Sequence, residues 1–381
     1  MRNRLLTVAP FAIGLAALLL GGSASAGGGA TTAINSAKLY ISAASQNVSG
    51  PGLKIKFTKS QGDSDLARVV VHVPTGYTVN TTQTTGTQLG TAAATVFARD
   101  LGAVVPVTGT VEVANQPYFA AQATACTGAA THTQIWALRL LAAGTPLVVP
   151  AFVDAVPAAS PLSAFAVATI AVCFLPSDLA TGTPGRSPLG ASLLNAEFTT
   201  GSISNPASGG EFRWRALATG YQAATGQPDP ASTVEIQSLV DLPTTLSLKA
   251  KASKSSKRGV ENVSYSGVLL SGGKGVGSAT IDVYKGPAQT ALKKFKSQTT
   301  ADNGSYSGSF AVKQGKTATR LFLLAKARTF DQDLGGSGCT ATFVPPLSTV
   351  STPCIDATVA GVSVTGSSVR VTIPAGPKPR K

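Results

Sequence analysis

Short runs of alternating apolar and polar residues dominate this chain, and no long helical pattern follows its first 26 residues. Leu53, Ile55 and Phe57, for example, are each separated by one lysine. A period of two residues is that of a β-strand with one buried face. The same alternation predicts that Trp214 faces a core and Arg215 the solvent. With 40 Gly and 23 Pro to form turns between such runs, the pattern predicts an all-β chain.

The number and spacing of these runs predict the architecture. About eleven of them lie in 37–242 and about seven in 243–373. Short strands at this spacing are typical of antiparallel sandwiches. A chain of 381 residues is also longer than one ordinary hydrophobic core supports. We therefore expect two antiparallel β-sandwich domains, over 37–242 and 243–373, the second of them immunoglobulin-like.

The first 26 residues have the features of a cleaved secretory signal peptide. Arg2 and Arg4 precede an apolar run over Leu5–Leu20, and the small residues Ala24 and Ala26 form an Ala-x-Ala cleavage site. This order of a basic, an apolar and a small-residue region is that of a signal peptide and not of a membrane anchor. The mature chain is therefore predicted to be secreted, and to be extracellular or associated with a bacterial cell envelope.

The remainder of the chain predicts no transmembrane anchor. Its longest apolar run, Ala164–Leu175, has 12 residues, whereas a helical span needs about 20. The Gly- and Thr-rich residues 27–36 predict a flexible lead-in to the first domain. Residues 374–381 form a basic tail rich in Pro and Gly.

The four cysteines predict disulfide bonds, because export brings the chain into an oxidising compartment. Four cysteines allow three pairings. Two fall in each predicted domain, which favours Cys126–Cys173 and Cys339–Cys354. Cys126 lies in a stretch rich in Thr and Ala that predicts a loop. Metal ligation is the alternative, but no Cys-x-x-Cys spacing and no neighbouring His supports it.

The positive charge of the chain belongs to its second half. Residues 27–240 carry ten Lys and Arg against ten Asp and Glu, while 241–381 carry 19 against seven. Such a surface attracts an anionic cell-wall polymer or another polyanion; the alternative is a solvated face that aids solubility. Few aromatic residues accompany these cations, which argues against single-stranded nucleic acid. The candidate polyanion-binding residues are Lys249, Lys251, Lys254, Lys257, Arg258, Lys293, Lys294, Lys296, Arg320, Lys326 and Arg328.

Motifs for nucleophilic catalysis are absent from the sequence. The chain has two histidines, His72 within a predicted strand and His132 in a predicted loop. The members of a Ser-His-Asp triad need not be adjacent in sequence, but no Gly-x-Ser-x-Gly elbow is present. The Ser-x-x-Lys pattern that starts at Ser271 lies in a Gly-rich turn, where a hairpin loop is the simpler interpretation.

The carboxylates form no recognisable catalytic or metal-binding pattern either. Glu112 and Glu197 lie in strand-like runs, and nothing places them at the separation that glycoside hydrolysis requires. Asp63 and Asp65 supply oxygens of the kind Ca²⁺ binds, but their segment lacks the closing Glu of a calcium loop and predicts a turn. We therefore predict no catalytic residues, metal or cofactor.

One part of the second domain resembles a known family. The segments Val263–Leu270, 272–276, Ala279–Tyr284 and Thr300–Tyr306 are similar to bacterial immunoglobulin-like modules related to carboxypeptidase-regulatory domains. The similarity covers about 246–329, and its motifs are turns and core positions. The resemblance implies a β-sandwich fold and a surface-display or spacer role, with no catalytic residues.

The sequence therefore predicts a non-enzymatic, secreted structural or binding protein of the bacterial cell envelope or extracellular space. Its basic immunoglobulin-like domain is expected to be a spacer or a polyanion attachment module. The alternative is an exported hydrolase whose site lies in the N-terminal domain. The sequence makes no prediction of the N-terminal ligand or of the oligomeric state.

Overall fold

The computed structural model describes residues 33–43, 51–142, 144–339, 353–361 and 363–377. The predicted signal peptide, most of the lead-in and the last four residues of the tail lie outside these ranges. The described chain is mostly β and has one short α-helix, which confirms the all-β prediction. No helix in these ranges is both long and apolar enough to cross a membrane.

Twelve strands precede residue 243, and eleven of them coincide with the predicted runs. The additional strand is β4. The strands are β1 (Lys38–Ala43), β2 (Pro51–Thr58), β3 (Leu66–Pro74), β4 (Thr78–Val79), β5 (Gln88–Ala98), β6 (Ala103–Val113), β7 (Gln134–Ala142), β8 (Thr145–Ala155), β9 (Ala166–Cys173), β10 (Ala191–Ser204), β11 (Gly210–Tyr221) and β12 (Pro228–Leu242).

Twelve further strands follow in the rest of the described chain. The predicted tight turn before β19 is present, with Gly304 at φ +77°, and a Cβ there would lie 2.2 Å from the carbonyl oxygen of Leu269. The strands are β13 (Thr244–Leu246), β14 (Lys249–Lys254), β15 (Val260–Ser271), β16 (Lys274–Gly275), β17 (Thr280–Gly286), β18 (Lys293–Thr299), β19 (Ser305–Lys313), β20 (Thr319–Ala327), β21 (Phe330–Asp333), β22 (Cys354–Gly361), β23 (Val364–Thr365) and β24 (Val369–Ile373).

The twelve strands of the first half, together with β21 and β22, form one continuous 14-stranded sheet, which we call the long sheet; a two-layered sandwich over 37–242 stays a prediction. The strand order of the long sheet is β1-β2-β10-β5-β6-β7-β8-β9-β3-β11-β12-β22-β21, with β4 beside β10. Strands β5 to β9 are successive antiparallel neighbours, so the chain stays within one sheet as it advances. Trp136, Trp214, Ile41 and Ile203 are fully buried in its shared core.

The long sheet folds back on itself, so that β1 lies against β12 and β22. The backbone N–H of Ile41 donates to the hydroxyl of Ser238 at 3.0 Å. The hydroxyl of Thr358 contacts the carbonyl oxygen of Leu39 and lies 3.2 Å from the Ser238 oxygen. These buried hydroxyls satisfy main-chain groups on the outer edge of β1, where no further strand is paired with it in the described chain.

Strands β21 and β22 correct one part of the prediction. They come from within 243–373, yet both lie in the long sheet. Strand β22 is parallel to β12, whereas the sequence predicts only antiparallel pairing. A parallel partner needs a long crossover connection, and here the connection is most of the C-terminal half. The division into domains at residue 242 stays a prediction, with 330–361 joined to the first sheet.

Two smaller sheets, which we call the C-terminal sheets, contain the remaining strands. One has β15 paired with β13, β14, β16 and β19, and the other has the order β18-β17-β20-β23 with β24 also on β20. Val263 and Tyr265 of the first share a core with Ile281, Val283 and Leu323 of the second. The sheets therefore pack against each other through the predicted apolar faces. Their assignment as immunoglobulin-like stays a prediction.

A short helix, α1 (Ala120–Thr127), replaces the loop predicted around Cys126. Ala123 of α1 is fully buried against Ile135, Phe152 and Ala171 on the outer face of the long sheet. The helix has no strong apolar periodicity. Its stability therefore comes from its burial against the sheet and from its disulfide more than from its own sequence.

Both predicted disulfide pairings are present. Cys126 of α1 is bonded to Cys173 at the end of β9. Cys339, which follows β21, is bonded to Cys354 at the start of β22. The first bond fastens the helix to the sheet, and the second joins the two ends of the connection between β21 and β22.

We expect replacement of Cys126 and Cys173 by Ala to lower the unfolding free energy by about 4 kcal/mol, because the bond closes a long loop in the unfolded chain. Urea unfolding followed by tryptophan fluorescence measures the change. The matched control replaces Cys339 and Cys354, whose shorter loop predicts about 3 kcal/mol. An unchanged unfolding free energy in the Cys126 and Cys173 variant would show that α1 does not depend on its disulfide.

Candidate functional site

All eleven predicted cations are exposed, but the fold distributes them over several surfaces. Lys249 and Lys251 lie on β14, at register positions beside Ser266 and Ser264 of β15. The remaining members lie at the end of β14, in the turn between β14 and β15, on the edge strand β18, and on or just after β20. They are Lys254, Lys257, Arg258, Lys293, Lys294, Lys296, Arg320, Lys326 and Arg328.

Two of the eleven are neutralised by one carboxylate. Asp282 on β17 lies 2.9 Å from the Nζ of Lys294 and 2.9 Å from the Nε of Arg328. The Ser297 hydroxyl donates to the same carboxylate at 2.7 Å. The hydrogen bond from Arg328 is the largest of the influences that hold the pKa of Asp282 well below its usual value. The charges of Lys294 and Arg328 are therefore already engaged by Asp282 and are less available to a ligand.

The other nine cations have no carboxylate oxygen within 4.0 Å anywhere in the described parts of the chain. Lys326 instead lies 5.3 Å from the centre of the Tyr284 ring. Exposed unpaired cations keep a mobile atmosphere of solvent anions, which a polyanion can displace. These nine residues are the part of the predicted site that the fold leaves available.

Four of the nine lie at one end of the C-terminal sheets, together with two lysines that the prediction missed. Pairing of Val260 with Lys313 brings the end of β19 to the start of β15. The backbone N–H of Gln314 donates to the Gly259 carbonyl oxygen at 2.9 Å, so the two turns touch. We call this group the basic end; it consists of Lys254, Lys257, Arg258, Lys313, Lys316 and Arg320.

Lys313 and Lys316 are both exposed. Neither pairs with a carboxylate among the described residues. In the sequence, Lys316 lies in a predicted loop between two strands and is distant from Lys254. Only the register of β15 with β19 unites them. A prediction of which strands pair would have found both lysines.

Carboxylates are scarce at the basic end. Glu261 pairs with Lys254 across the strands, but its side chain is buried and accepts a hydrogen bond from the Nε2 of Gln314 at 2.8 Å. The described residues of the two turns, 255–259 and 314–318, contain no Asp or Glu. One carboxylate, that of Glu261, therefore accompanies six cations, and this end keeps a positive net charge.

The opposite end of the C-terminal sheets, which meets the long sheet, has paired charges. The Nζ of Lys274 on β16 lies 2.7 Å from the carboxylate of Glu211 on β11. This hydrogen bond is the main reason that the pKa of Glu211 lies below its usual value. The hydroxyl of Ser271 also donates to the Asp241 carbonyl oxygen at 2.7 Å.

His132 in the first half has two polar partners that resemble a catalytic arrangement. Its Nδ1 lies 2.7 Å from Asp154, and its Nε2 lies 3.1 Å from the hydroxyl of Thr127. The Thr127 hydroxyl, however, donates to the Ala123 carbonyl oxygen at 2.9 Å within α1, and only 1% of the histidine side chain is exposed. The arrangement therefore fastens the end of α1 to β8 and leaves little room for a substrate.

His72 and Arg215 are neighbours in the register of β3 and β11. Arg215, predicted to face solvent, is buried, and its Nε lies 3.7 Å from the carboxylate of Glu235. Its guanidinium also lies over the ring of Phe165 at 4.8 Å. The prediction was wrong because this outer face of the sheet is covered. Burial, and then the charge of Arg215, lower the pKa of His72 to about 4.

Asp63 and Asp65 accept hydrogen bonds from the protein itself. Asp63 receives the backbone N–H of Ser36 at 3.1 Å, and the Nη2 of Arg99 lies 3.2 Å from both oxygens of Asp65. Burial raises the pKa of Asp65, but hydrogen bonds from Ser177 and Ser192 and the charge of Arg99 outweigh it and lower that pKa. No group of three potential metal ligands occurs among the described residues.

Glu112 and Glu197 are not brought together. Glu112 pairs with Arg139, and Glu197 lies 2.7 Å from the Nζ of Lys54. Strand β5 separates β10 from β6, and the register places Glu197 level with Thr108, four residues from Glu112. Four residues of strand span about 13 Å, which is too far for a pair of carboxylates that act on one glycosidic bond.

Two shallow clefts lie on the long sheet, and neither has a charged residue or a histidine in its lining. The more polar of the two includes Gln83, Asn115, Gln116 and Gln134. The clefts therefore offer hydrogen-bonding groups without an acid, a base or a nucleophile activated by one.

No protein-family model and no curated protein matches the chain. Among solved structures it is similar to the "D0-D1 domain of Intimin", with 9% identity, a TM-score of 0.17, and coverage of 86% of this chain and 97% of that one. It is also similar to a "tetra-tandem repeat in extending region of large adhesion protein", with 10% identity, a TM-score of 0.21, and coverage of 87% and 100%. Similarities at these TM-scores support no conclusion on fold or function.

The low pKa of His72 predicts a loss of stability in mild acid. The unfolded chain takes up a proton near the usual value of 6.5, whereas the folded chain does so only near 4. Stability is therefore complete above pH 6.5 and falls as the pH decreases towards 4, by about 3 kcal/mol for this shift. We expect His72→Leu to remove that part of the pH dependence.

Urea unfolding of both proteins between pH 7 and pH 4 measures the difference. His132 and all carboxylates are present in both proteins, so their contributions cancel. Parallel stability curves would contradict the burial of a neutral His72.

Proposed function

We propose that the chain is a non-enzymatic, secreted structural or binding protein of the bacterial cell envelope or extracellular space, whose C-terminal sheets attach it to a polyanion. The observation that carries this proposal is the set of nine exposed cations without a carboxylate partner among the described residues. Two further exposed lysines at the basic end extend the set. The long sheet supplies no comparable surplus, since residues 27–240 have no net charge.

The physical basis of attachment is the release of counterions. Each lysine or arginine that replaces a small cation on a polyanion frees that cation, so affinity falls steeply as salt is added. A merely solvated face, the alternative that the sequence leaves open, would bind no polymer. The two interpretations therefore differ in the affinity for a polyanion and in the dependence of that affinity on salt.

Export is supported by the signal-like first 26 residues. The two disulfides also agree with an oxidising compartment. The resemblance of 246–329 to bacterial immunoglobulin-like modules supports a spacer or display role beside attachment. The exported-hydrolase alternative has weaker support, because the histidine with suitable neighbours, His132, is held inside the fold by Asp154 and Thr127.

We expect the full chain to bind immobilised heparin and purified bacterial cell wall at low salt. Affinity should fall by about a thousandfold between 50 and 200 mM salt if six or more cations make contact. Replacing the nine unpaired cations by Gln should abolish binding. The full chain is required, because β21 and β22 connect the two halves.

A control variant carries Lys54→Gln and Arg139→Gln, a half-buried and an exposed cation of the long sheet that already have carboxylate partners. It should bind as the unmodified chain does. Salt-insensitive binding, or undiminished binding by the nine-residue variant, would leave the cations as a solubility feature.

A further inference from the structure

We infer that the basic end is the attachment point itself, and that its ligand is a linear polymer with a phosphate backbone. This inference rests on the proposed function. It replaces the eleven dispersed cations as the binding site by six cations at one end of the C-terminal sheets. Two of the six, Lys313 and Lys316, are not among the eleven cations that the sequence analysis selected. The remaining candidates lie on the strands β14 and β18 and on or just after β20.

Strand pairing brings the backbones of two of the six cations, Lys254 and Lys313, to one end of the sheet. Lys254 on β14 pairs with Glu261, and Lys313 on β19 pairs with Val260, so the two lysines flank β15 at nearly the same level. Two strand spacings separate their backbones by about 10 Å, and the two side chains leave opposite faces of the sheet, because successive residues of a strand alternate. The backbone N–H of Gly376 donates to the Gly315 carbonyl oxygen at 2.9 Å, which adds a third segment of chain to the support of the β19–β20 turn.

The fold offsets only part of the charge of this end. The two turns contain no carboxylate, and the nearby Glu261 is buried and bonded to Gln314. At the opposite end, by contrast, Lys274 pairs with Glu211, and towards the middle Asp282 engages Lys294 and Arg328. Like charges separated by about a Debye length, 10 Å at 0.1 M salt, still repel one another. A polyanion removes that repulsion.

The residue types indicate what kind of polyanion fits. Four of the six cations are lysines, whose ammonium groups act as point charges and lack the bidentate geometry that the arginine fork offers to carboxylate and phosphate alike. Residues 253–260 and 313–320 contain no aromatic residue, so stacking on sugars or bases is absent from these segments. Recognition then depends on charge density, which is highest for a polymer with a phosphate in each short repeat.

The position of the basic end suits a long ligand. The opposite end of the C-terminal sheets is occupied by contacts with the long sheet through Lys274, Ser271 and Gly272. Lys257 and Arg258 project from a turn that is exposed to solvent. A polymer can therefore pass across this end without displacing any part of the described chain.

Two full-length variants of equal charge test the assignment. The end variant carries Lys254→Gln, Lys257→Gln, Arg258→Gln, Lys313→Gln and Lys316→Gln. The face variant carries Lys249→Gln, Lys251→Gln, Lys293→Gln, Lys296→Gln and Lys326→Gln. All ten positions are exposed, and circular dichroism and thermal unfolding confirm that both variants fold. Long-chain inorganic polyphosphate is the probe, and its affinity is measured at several salt concentrations.

We expect the end variant to lower the salt slope of log K by about 3.5, which is about 0.7 for each of five lost contacts. The face variant should keep most of the slope of the unmodified chain. Equal losses in the two variants, or a larger loss in the face variant, would overturn the basic end as the site while leaving polyanion attachment intact. Failure of the unmodified chain to bind any polyanion would instead overturn the proposed function.

The ligand class is tested separately with the unmodified chain. Polygalacturonate, a carboxylate polymer with one charge per sugar ring, should bind at least tenfold more weakly than polyphosphate. Poly(glycerol phosphate) and duplex DNA distinguish an envelope polymer from a nucleic acid as the source of the phosphate. Weaker binding to both of these than to polygalacturonate would overturn the phosphate assignment.

Discussion

The hydroxyls of Ser238 and Thr358 hold β1 against the far side of the long sheet, and the arrangement of the whole chain depends on this contact. They engage the backbone of Leu39 and Ile41 where no strand does so, and a buried backbone group left without a partner costs about 1–3 kcal/mol. Three distant parts of the sequence meet here: β1, β12 and the late strand β22. Lys38 adds ion pairs with Asp333 and Asp356. The contact thus makes the long sheet one body and binds the C-terminal segment into it.

Local pattern predicted the strands, but long-range contacts decided the rest of the fold. Leu53, Ile55 and Phe57 are buried as their alternation predicts. Arg215 obeys the same alternation and is nevertheless buried, because whether the outer face of a sheet meets water depends on what covers it. The parallel pairing of β22 with β12 had no local signal, since the two strands are more than 100 residues apart. Helix α1 has weak periodicity of its own and follows from its burial and its disulfide.

The features of the candidate site likewise divide into those that local pattern predicts and those that depend on long-range strand pairing. The exposure of Lys249 and Lys251 follows from alternation on a single strand, which the sequence contains. The neutralisation of Lys294 and Arg328 by Asp282 requires three strands in register, and the union of Lys254 with Lys313 requires the pairing of β15 with both neighbours. A count of charges along the sequence therefore overstates the number of unpaired cations on the sheet faces and understates it at the basic end.

The path of the chain between the two parts of the molecule has a mechanical consequence. The backbone passes between the long sheet and the C-terminal sheets three times, after β12, after β20 and after β22. Tension applied at the basic end is consequently shared by three covalent connections in place of one. It loads the parallel β12–β22 pair along its length, in shear, so that its hydrogen bonds bear the force together. The three connections also restrict bending between the C-terminal sheets and the long sheet more than a single linker would.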